Sequence, residues 1–454
     1  MKAFGKITAI MLAAVMATVI FTAAGCGGAT VGVRGDNAKD DVLTVGIAGD
    51  SGESVIIETL RRPFEKMYKE KTGKTITVSS TRINGEYING IQTRKNANNL
   101  PNIVQVYDYA AEFLTYREVL EPISGFMERD GVSDTDFVPS VVSFMKSGGT
   151  NDDKVYWAAR DYNRVVVMYN KDIFDAAGVS YPQNGWTWDE FLGVCQKVRD
   201  YYDAQGKKNY YPIDANLNWE SVGYPIIKSL GGEVINSDGK FALTEEVNQK
   251  VSDFIKVLVD RRFVASKNDS VSSFEGGSGA LLFQSATIDK FENLAVTRGK
   301  FDVCSFPLIN GENSAIGHGF AGYAVNRKLK DEPKKLEAAL AFMAYLMSED
   351  GQQIIAKEGG LTLPSIRSGL SQENPDAIWH KEYTEKGFNV AAYAYGSQYK
   401  TDLDFIGYID PIFASDVVSA IRTYVGSYAV KETPANALKY FKADIDDAFN
   451  SVVE

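Results

Sequence analysis

Cysteine and histidine are scarce in this chain. Its 454 residues hold three Cys, at Cys26, Cys195 and Cys304, and two His, at His318 and His380. Zinc centres need clusters of these side chains at fixed spacings, so this supply excludes a Cys/His metal site. Cys195 and Cys304 follow no pairing pattern and are expected as free, buried thiols. Nucleotide signatures are missing too. Gly49-x-x-Gly52 is neither G-x-G-x-x-G nor a loop ending in Gly-Lys-Ser/Thr, and no other stretch fits either form. There is no internal repeat and no long low-complexity tract. Basic residues number 48 against 59 acidic ones, a formal net charge of -11. That balance argues against nucleic acid as a partner, since phosphate backbones draw Lys and Arg clusters. Neither a cofactor nor a metal is expected.

What is present points to export and recognition. Lys2 and Lys6 precede an apolar run from Ile7 to Ala24, and Ala23-Ala24-Gly25 lead into Cys26. The run is slightly short for a membrane span, which needs about 20 residues. Its basic start and small-residue end read as a signal peptide over 1–25. Residues 26–41, rich in Gly and charge, are expected to form a flexible tether. The length suggests two domains of α/β size. The chain also carries 24 Tyr and 5 Trp. Such rings suit ligands with apolar and hydroxyl faces, although most must serve packing.

The chain is organised around 155–174, VYWAARDYNRVVVMYNKDIF. The run Val165 to Met168 fits a buried strand, and Asn170 or Asp172 can cap a short helix after it. This strand is read as the crossing between two lobes. Ahead of it, strands at 43–47, 75–79 and 103–106 alternate with helices at 54–70 and 87–96, which predicts a parallel sheet covered by helices. Pro63 is expected to kink or break the first helix, and Gly73 to close it. Beyond the crossing, Thr187 and Glu190 form a capping box, with Trp186 stapled to Phe191; Trp186 and Trp188 read as structural. Residues 210–214 resemble a short strand and 231–243 a small hairpin. Thr244 opens a helix running to Asp260. Strands follow at 280–283 and 301–306. The glycine-punctuated stretch 317–325 is taken as the second crossing and 361–364 as the third. Helices over 417–424 and 435–449 close the chain.

In open α/β sheets ligands lie beyond the carboxyl ends of strands. Asp50, Glu53 and Asp108 occupy such ends and are candidate hydroxyl acceptors; alternatively Asp50 and Asp108 only cap helices. Tyr107 and Tyr109 flank Asp108. Trp157 and Arg160, ahead of the crossing, are candidates for a cleft wall, one as a stacking face and the other as a multiple donor. Core packing is the alternative for Trp157. Trp219, in a loop with Asn216, Asn218 and Glu220, looks most like a sugar platform, and Glu220 joins it as a candidate ligand residue. Gln284, ending a strand, is a further candidate. His318 stands alone in sequence, without the partner groups a general base needs, so a binding or structural role is favoured over catalysis.

Four stretches in order carry a family resemblance: NIVQVYD at 102–108, MYNKDIF at 168–174, WTWDEF at 186–191, and the segment from Ala338 to Gln352. Together with Cys26 they resemble the extracellular solute-binding proteins of ABC importers, the maltose-binding-like family that takes carbohydrates. The resemblance covers nearly the whole mature chain. It implies an α/β, two-lobed periplasmic-binding-protein-like fold with hinge crossings and a central cleft. The lobes would comprise 42–157 with 320–362, and 158–319 with 363–454. It further implies lipidation at Cys26, although Ala23 stands where Leu is commoner, and a place on the extracellular face of the membrane. The implied ligand is an oligosaccharide, the implied partner an ABC permease, the implied state a monomer without catalytic activity. By the same comparison Asp108 matches a sugar-contacting carboxylate, and Trp219 and Arg160 lie in cleft-side loops. The turn at 49–52 lacks an aromatic that many relatives carry, which shifts first-lobe stacking to Tyr107 or Tyr109. The rivals are a binder of a peptide or polyamine, an exported carbohydrate-active enzyme with two facing carboxylates, and a structural surface lipoprotein.

Overall fold

The computed structural model describes residues 39–48, 51–83, 87–129, 132–133, 137, 139–146, 154–214, 217–265, 272–285, 288–309, 315–319, 321–358, 378–396, 400–401 and 403–450. The signal peptide, most of the tether, the third crossing, Asp50 and Asn216 lie outside the described residues.

β1 (Val42–Ile47), β2 (Thr77–Arg82) and β3 (Ile103–Tyr107) run parallel with β1 in the middle. α1 (Ser51–Thr72) and α2 (Tyr87–Asn96) make the connections, and α3 (Asp108–Tyr116) follows β3 directly. α1 buries Ile56, Leu60 and Phe64, a spacing that lines one helix face. It runs unbroken through Pro63, against the expected break. Pro63 is exposed, so its ring lies on the solvent side of the helix rather than in the core. Gly73 ends the helix at φ 70°. β4 (Leu120–Glu121) and β5 (Trp157–Ala159) complete this side of the chain.

The chain then crosses through β6 (Asn163–Arg164) into β7 (Val166–Asn170), all of whose residues are buried. β7 is the middle strand of a second sheet. It pairs antiparallel with β8 (Leu281–Gln284) and β9 (Phe301–Ser305). Its side chains alternate between two hydrophobic cores, Val166 and Met168 in one, Val167 and Tyr169 in the other. A strand covered on both faces needs apolar side chains at successive positions, which accounts for the β-branched run. Asn170 is the cap of α4 (Lys171–Ala177), accepting from the Ile173 amide at 3.3 Å.

α5 (Trp188–Ala204) begins with the predicted Thr187–Glu190 box, and the Trp186 and Phe191 rings meet edge-on at 5.4 Å. α6 (Glu220–Ser229) and α7 (Glu245–Asp260) follow, the latter capped by Thr244. Residues 210–214 form no strand, only a bridge from Ile213 to Leu281. Pro212 has no N–H to donate to a ladder. The expected hairpin is one bridge, Ile235 to Phe241, around a turn with Gly239 at φ 72°.

The return is divided into β10 (Ala315–Ile316), β11 (His318–Gly319) and β12 (Ala321–Asn326). β11 pairs with β6, so both crossings lie side by side. β12 pairs antiparallel with β3, β4 and β5, making the first sheet mixed rather than parallel. The reason is topological: β12 starts opposite Tyr107 at the carboxyl end of β3 and can only run back. Within it a Cβ on Gly322 would drive into the Ala158 carbonyl oxygen, and one on Gly317 into that of Ser221. β13 (Lys400–Thr401) pairs with β10. α8 (Pro333–Met347) and α9 (Glu349–Glu358) pack against α1. α10 (Ala414–Thr423) and α11 (Pro434–Asn450) pack on each other around a π-helical turn at Tyr424–Tyr428. Cys195 and Cys304 are free and buried. Desolvation raises both thiols, Cys304 to about 12, which keeps them protonated and unreactive.

Candidate ligand site

The first-lobe exit is held by a buried polar cluster. Glu53 enters it from the first turn of α1, Arg160 from the end of β5, and Tyr323 from β12. The Arg160 guanidinium pairs with Glu53 and Asp161, its Nε lying 2.7 Å from Asp161 Oδ2. The Tyr323 hydroxyl donates to the second Glu53 oxygen. Asp161 Oδ1 accepts from the Ala321 amide at 3.1 Å, and the Gln352 amide donates to the Arg160 carbonyl at 3.1 Å. Burial opposes the Arg160 charge, but Asp161 and Glu53 outweigh it and raise the pKa above its ordinary value. The cluster thus fastens the outgoing chain at 160–161 to the returning chain at 321–323.

Four residues further on, buried Arg164 donates to the Gly396 carbonyl at 3.0 Å and to the Tyr162 hydroxyl, and its guanidinium lies 5.3 Å from the Tyr162 ring centre. Opposite it across the ladder is the backbone of His318, whose side chain is outside the described residues.

A second meeting place joins the two cores. β3 ends in extended geometry at Tyr107, which takes the α3 cap position without a side-chain bond. Asp108 is therefore the first helical residue, buried, with its carboxylate at a favourable helix end. Ala110, Ala111 and Leu114 of α3 belong to the first core. The same helix packs against the turn Pro411–Phe413 and against α10, whose Val417, Val418 and Ile421 belong to the second core. α6 packs on α10 as well. Its cap is half-buried Trp219, and its first residue, buried Glu220, accepts from Arg422 Nε of α10 at 2.8 Å. The helix that opens at Asp108 and the helix that opens at Glu220 thus both pack on one short stretch, 411–423, where Glu220 holds Arg422.

The remaining candidates fall as follows. Tyr107 is half-buried and meets the Tyr87 ring edge-on at 6.0 Å. Gln284 is half-buried, and its side-chain oxygen accepts from the Ser285 amide at 3.0 Å. Trp157 is fully buried in the first core, paired through its backbone with Ala324, so its ring packs instead of presenting a face. The Tyr109 side chain is outside the described residues. No local pattern announces half-buried Phe413 or buried Glu112 on α3. Glu112 forms no hydrogen bond or ion pair among the described residues, and burial alone pushes its pKa up to about 7. Among the described residues no cluster of His, Cys, Asp and Glu could hold a metal ion, and no helix is long and apolar enough to cross a membrane.

Comparison with known proteins defines the class. The model of the bacterial extracellular solute-binding protein family matches residues 64–384, and the chain belongs to that family. Its members are binding proteins, so the chain is a binder and not an enzyme. The sn-glycerol-3-phosphate-binding periplasmic protein of Salmonella typhimurium is 24% identical over 202 residues, 40% of this chain and 43% of that protein. The match thus spans less than half the length of this curated relative. Among solved structures, an ABC substrate-binding protein from Listeria monocytogenes in complex with cycloalternan superposes with a TM-score of 0.70 at 22% identity, covering 90% of this chain and 99% of that one. A glycerophosphocholine complex of the related binding protein from Mycobacterium tuberculosis gives 0.69 at 17% identity, covering 90% and 99%. The fold is the two-lobed α/β arrangement of these proteins.

Proposed function

We propose that this chain binds a carbohydrate, an oligosaccharide first of all, between its lobes and delivers it to the permease of an ABC importer. The packing of α3, which opens at Asp108, and of α6, capped by Trp219, on the same stretch 411–423 carries the proposal. Trp219 offers a flat face to the apolar side of a pyranose, and Asp108 accepts hydroxyl protons. Ligand binds the closed arrangement better and draws the lobes toward it. A wrong sugar leaves a buried polar group unpaired. The cycloalternan-bound relative supports a glycan. The Arg160–Glu53 cluster acts in this scheme as the hinge fastening, and Tyr107, Gln284 and His318 border the cleft floor. A lipid on Cys26 and the tether at 26–41 hold the protein at the extracellular membrane face, with the lobes dividing as the sequence suggests, near 157 and 320.

A second reading, a small phosphorylated polyol, draws on the glycerophosphoryl ligands named for two relatives. Calorimetric titration of the purified protein separates the two. The panel holds maltotriose, xylotriose, mannotriose, sn-glycerol-3-phosphate, glycerophosphocholine, a dipeptide and spermidine. Saturable one-to-one heat with one glycan series, weakened by Trp219→Ala, supports the sugar. Heat with only the phosphorylated compounds, the peptide or the polyamine removes it.

A further inference from the structure

Among the described residues Glu112 has no hydrogen-bond or ion-pair partner. It is 6% exposed, on a helix that packs against elements of both cores, and no described residue donates to it. A buried carboxyl without partners is unfavourable whichever form it takes: the ion loses its hydration, and the acid still lacks acceptor and donor mates. Apolar side chains would fill the same space without that penalty. Asp108 lies one turn earlier on the same helix, at the strand end where α/β sheets receive ligands.

We infer that Glu112 is a ligand-contacting carboxyl of the cleft, and that ligand hydroxyls donating to it displace its proton. The inference rests on the cleft proposed above. A carboxylate can accept up to four hydrogen bonds, so a row of sugar hydroxyls is a fitting partner. Before they arrive the group is held neutral by burial, with a pKa near 7. When they donate, the charged form is favoured and a proton leaves to solvent. The charged groups on the elements around α3 are Asp108 on the helix itself, Arg117 just after it, Glu121 on β4, Lys146 on the helix Pro139–Lys146, Asp410 before the turn, and Asp416 and Arg422 on α10. None of them contributes to the Glu112 shift, which desolvation accounts for alone.

The test is calorimetry of the wild-type protein and Glu112→Gln, with the three trisaccharides as probes and spermidine beside them. Each is titrated near pH 6 and near pH 8, in two buffers of different ionisation enthalpy. The expected result is proton release on glycan binding near pH 6 and an affinity about tenfold higher near pH 8. Both features vanish in Glu112→Gln, whose affinity near pH 8 falls at least about tenfold, while its circular dichroism stays native-like and its ligand-free melting is at or above that of wild type. Glycan binding with the same affinity and pH profile in the variant overturns the inference and leaves the sugar cleft standing. Binding of spermidine alone, dependent on Glu112, overturns the sugar and keeps the contact. Silence toward every probe overturns both.

Discussion

Glu53 and Arg160 are separated by 107 positions, yet they share one buried ion pair. Removing one partner of such a pair strands the other charge, at a cost of about 3–5 kcal/mol. Arg160→Met is therefore expected to lower the melting temperature by many degrees in differential scanning calorimetry. An Arg160→Met/Glu53→Gln/Asp161→Asn triple variant should recover much of the loss, and a triple no better than the single would place the cluster's importance elsewhere. Glu112 makes the opposite kind of prediction. Its carboxyl sits above the ordinary 4.5, at about 7, so the folded protein holds a proton there that the unfolded chain releases between those values. Stability from this group is full below about pH 4.5 and declines as pH rises to about 7, by at most about 3 kcal/mol at 1.36 kcal/mol per unit. The difference in denaturation midpoint between wild type and Glu112→Gln should widen over that window in the variant's favour, and a pH-independent difference would contradict it. Trp219→Ala is expected to weaken glycan binding by about 1–2 kcal/mol, near tenfold, by loss of one stacking face.

Caps and turns act over a few residues, and at the scale of elements they were the most legible part of the sequence. Thr187 with Glu190 and Thr244 with Val247 form as their spacing announces, and of the two expected caps Asn170 and Asp172 it is Asn170 that accepts from Ile173. Thr187→Ala should cost about 1 kcal/mol, readable as a small shift in urea midpoint without change in slope. Elements fixed by distant neighbours were read less well. The strand expected at 210–214 shrinks to a bridge because Pro212 cannot donate, and the helix break expected at Pro63 is avoided because that face meets solvent. The antiparallel course of β12 depends on where the chain returns from the other lobe, which no local pattern records. Gly322, within the glycine-punctuated stretch 317–325, is a site of close backbone approach. Replacing it with Ala should force the β5–β12 ladder apart and destabilise the protein by about 1–3 kcal/mol, seen as a lowered melting temperature.

For the molecule as a whole, the family and the two-lobed design were foreshadowed by the order of four short motifs. Phe413 and Glu112 were not, since the meeting of α3 with 411–423 joins segments about three hundred residues apart, beyond what periodicity can report. Cleft closure predicts a smaller radius of gyration in small-angle scattering when the bound glycan saturates the protein. An unchanged radius would leave binding without closure.

The pairing of β6 with β11 has a mechanical meaning. A ladder two strands wide and two residues long resists stretching along its hydrogen bonds but has little stiffness against twist. Arg164 pins its second-lobe end to the Gly396 carbonyl, and the Arg160–Asp161 cluster rivets its first-lobe end. Two anchored ends with a narrow web between them make a torsion bar, soft about one axis and stiff about the others. If this ladder sets the axis, the lobes are expected to swing along a single track, and a probe placed on either side should report one coordinate, the angle of opening.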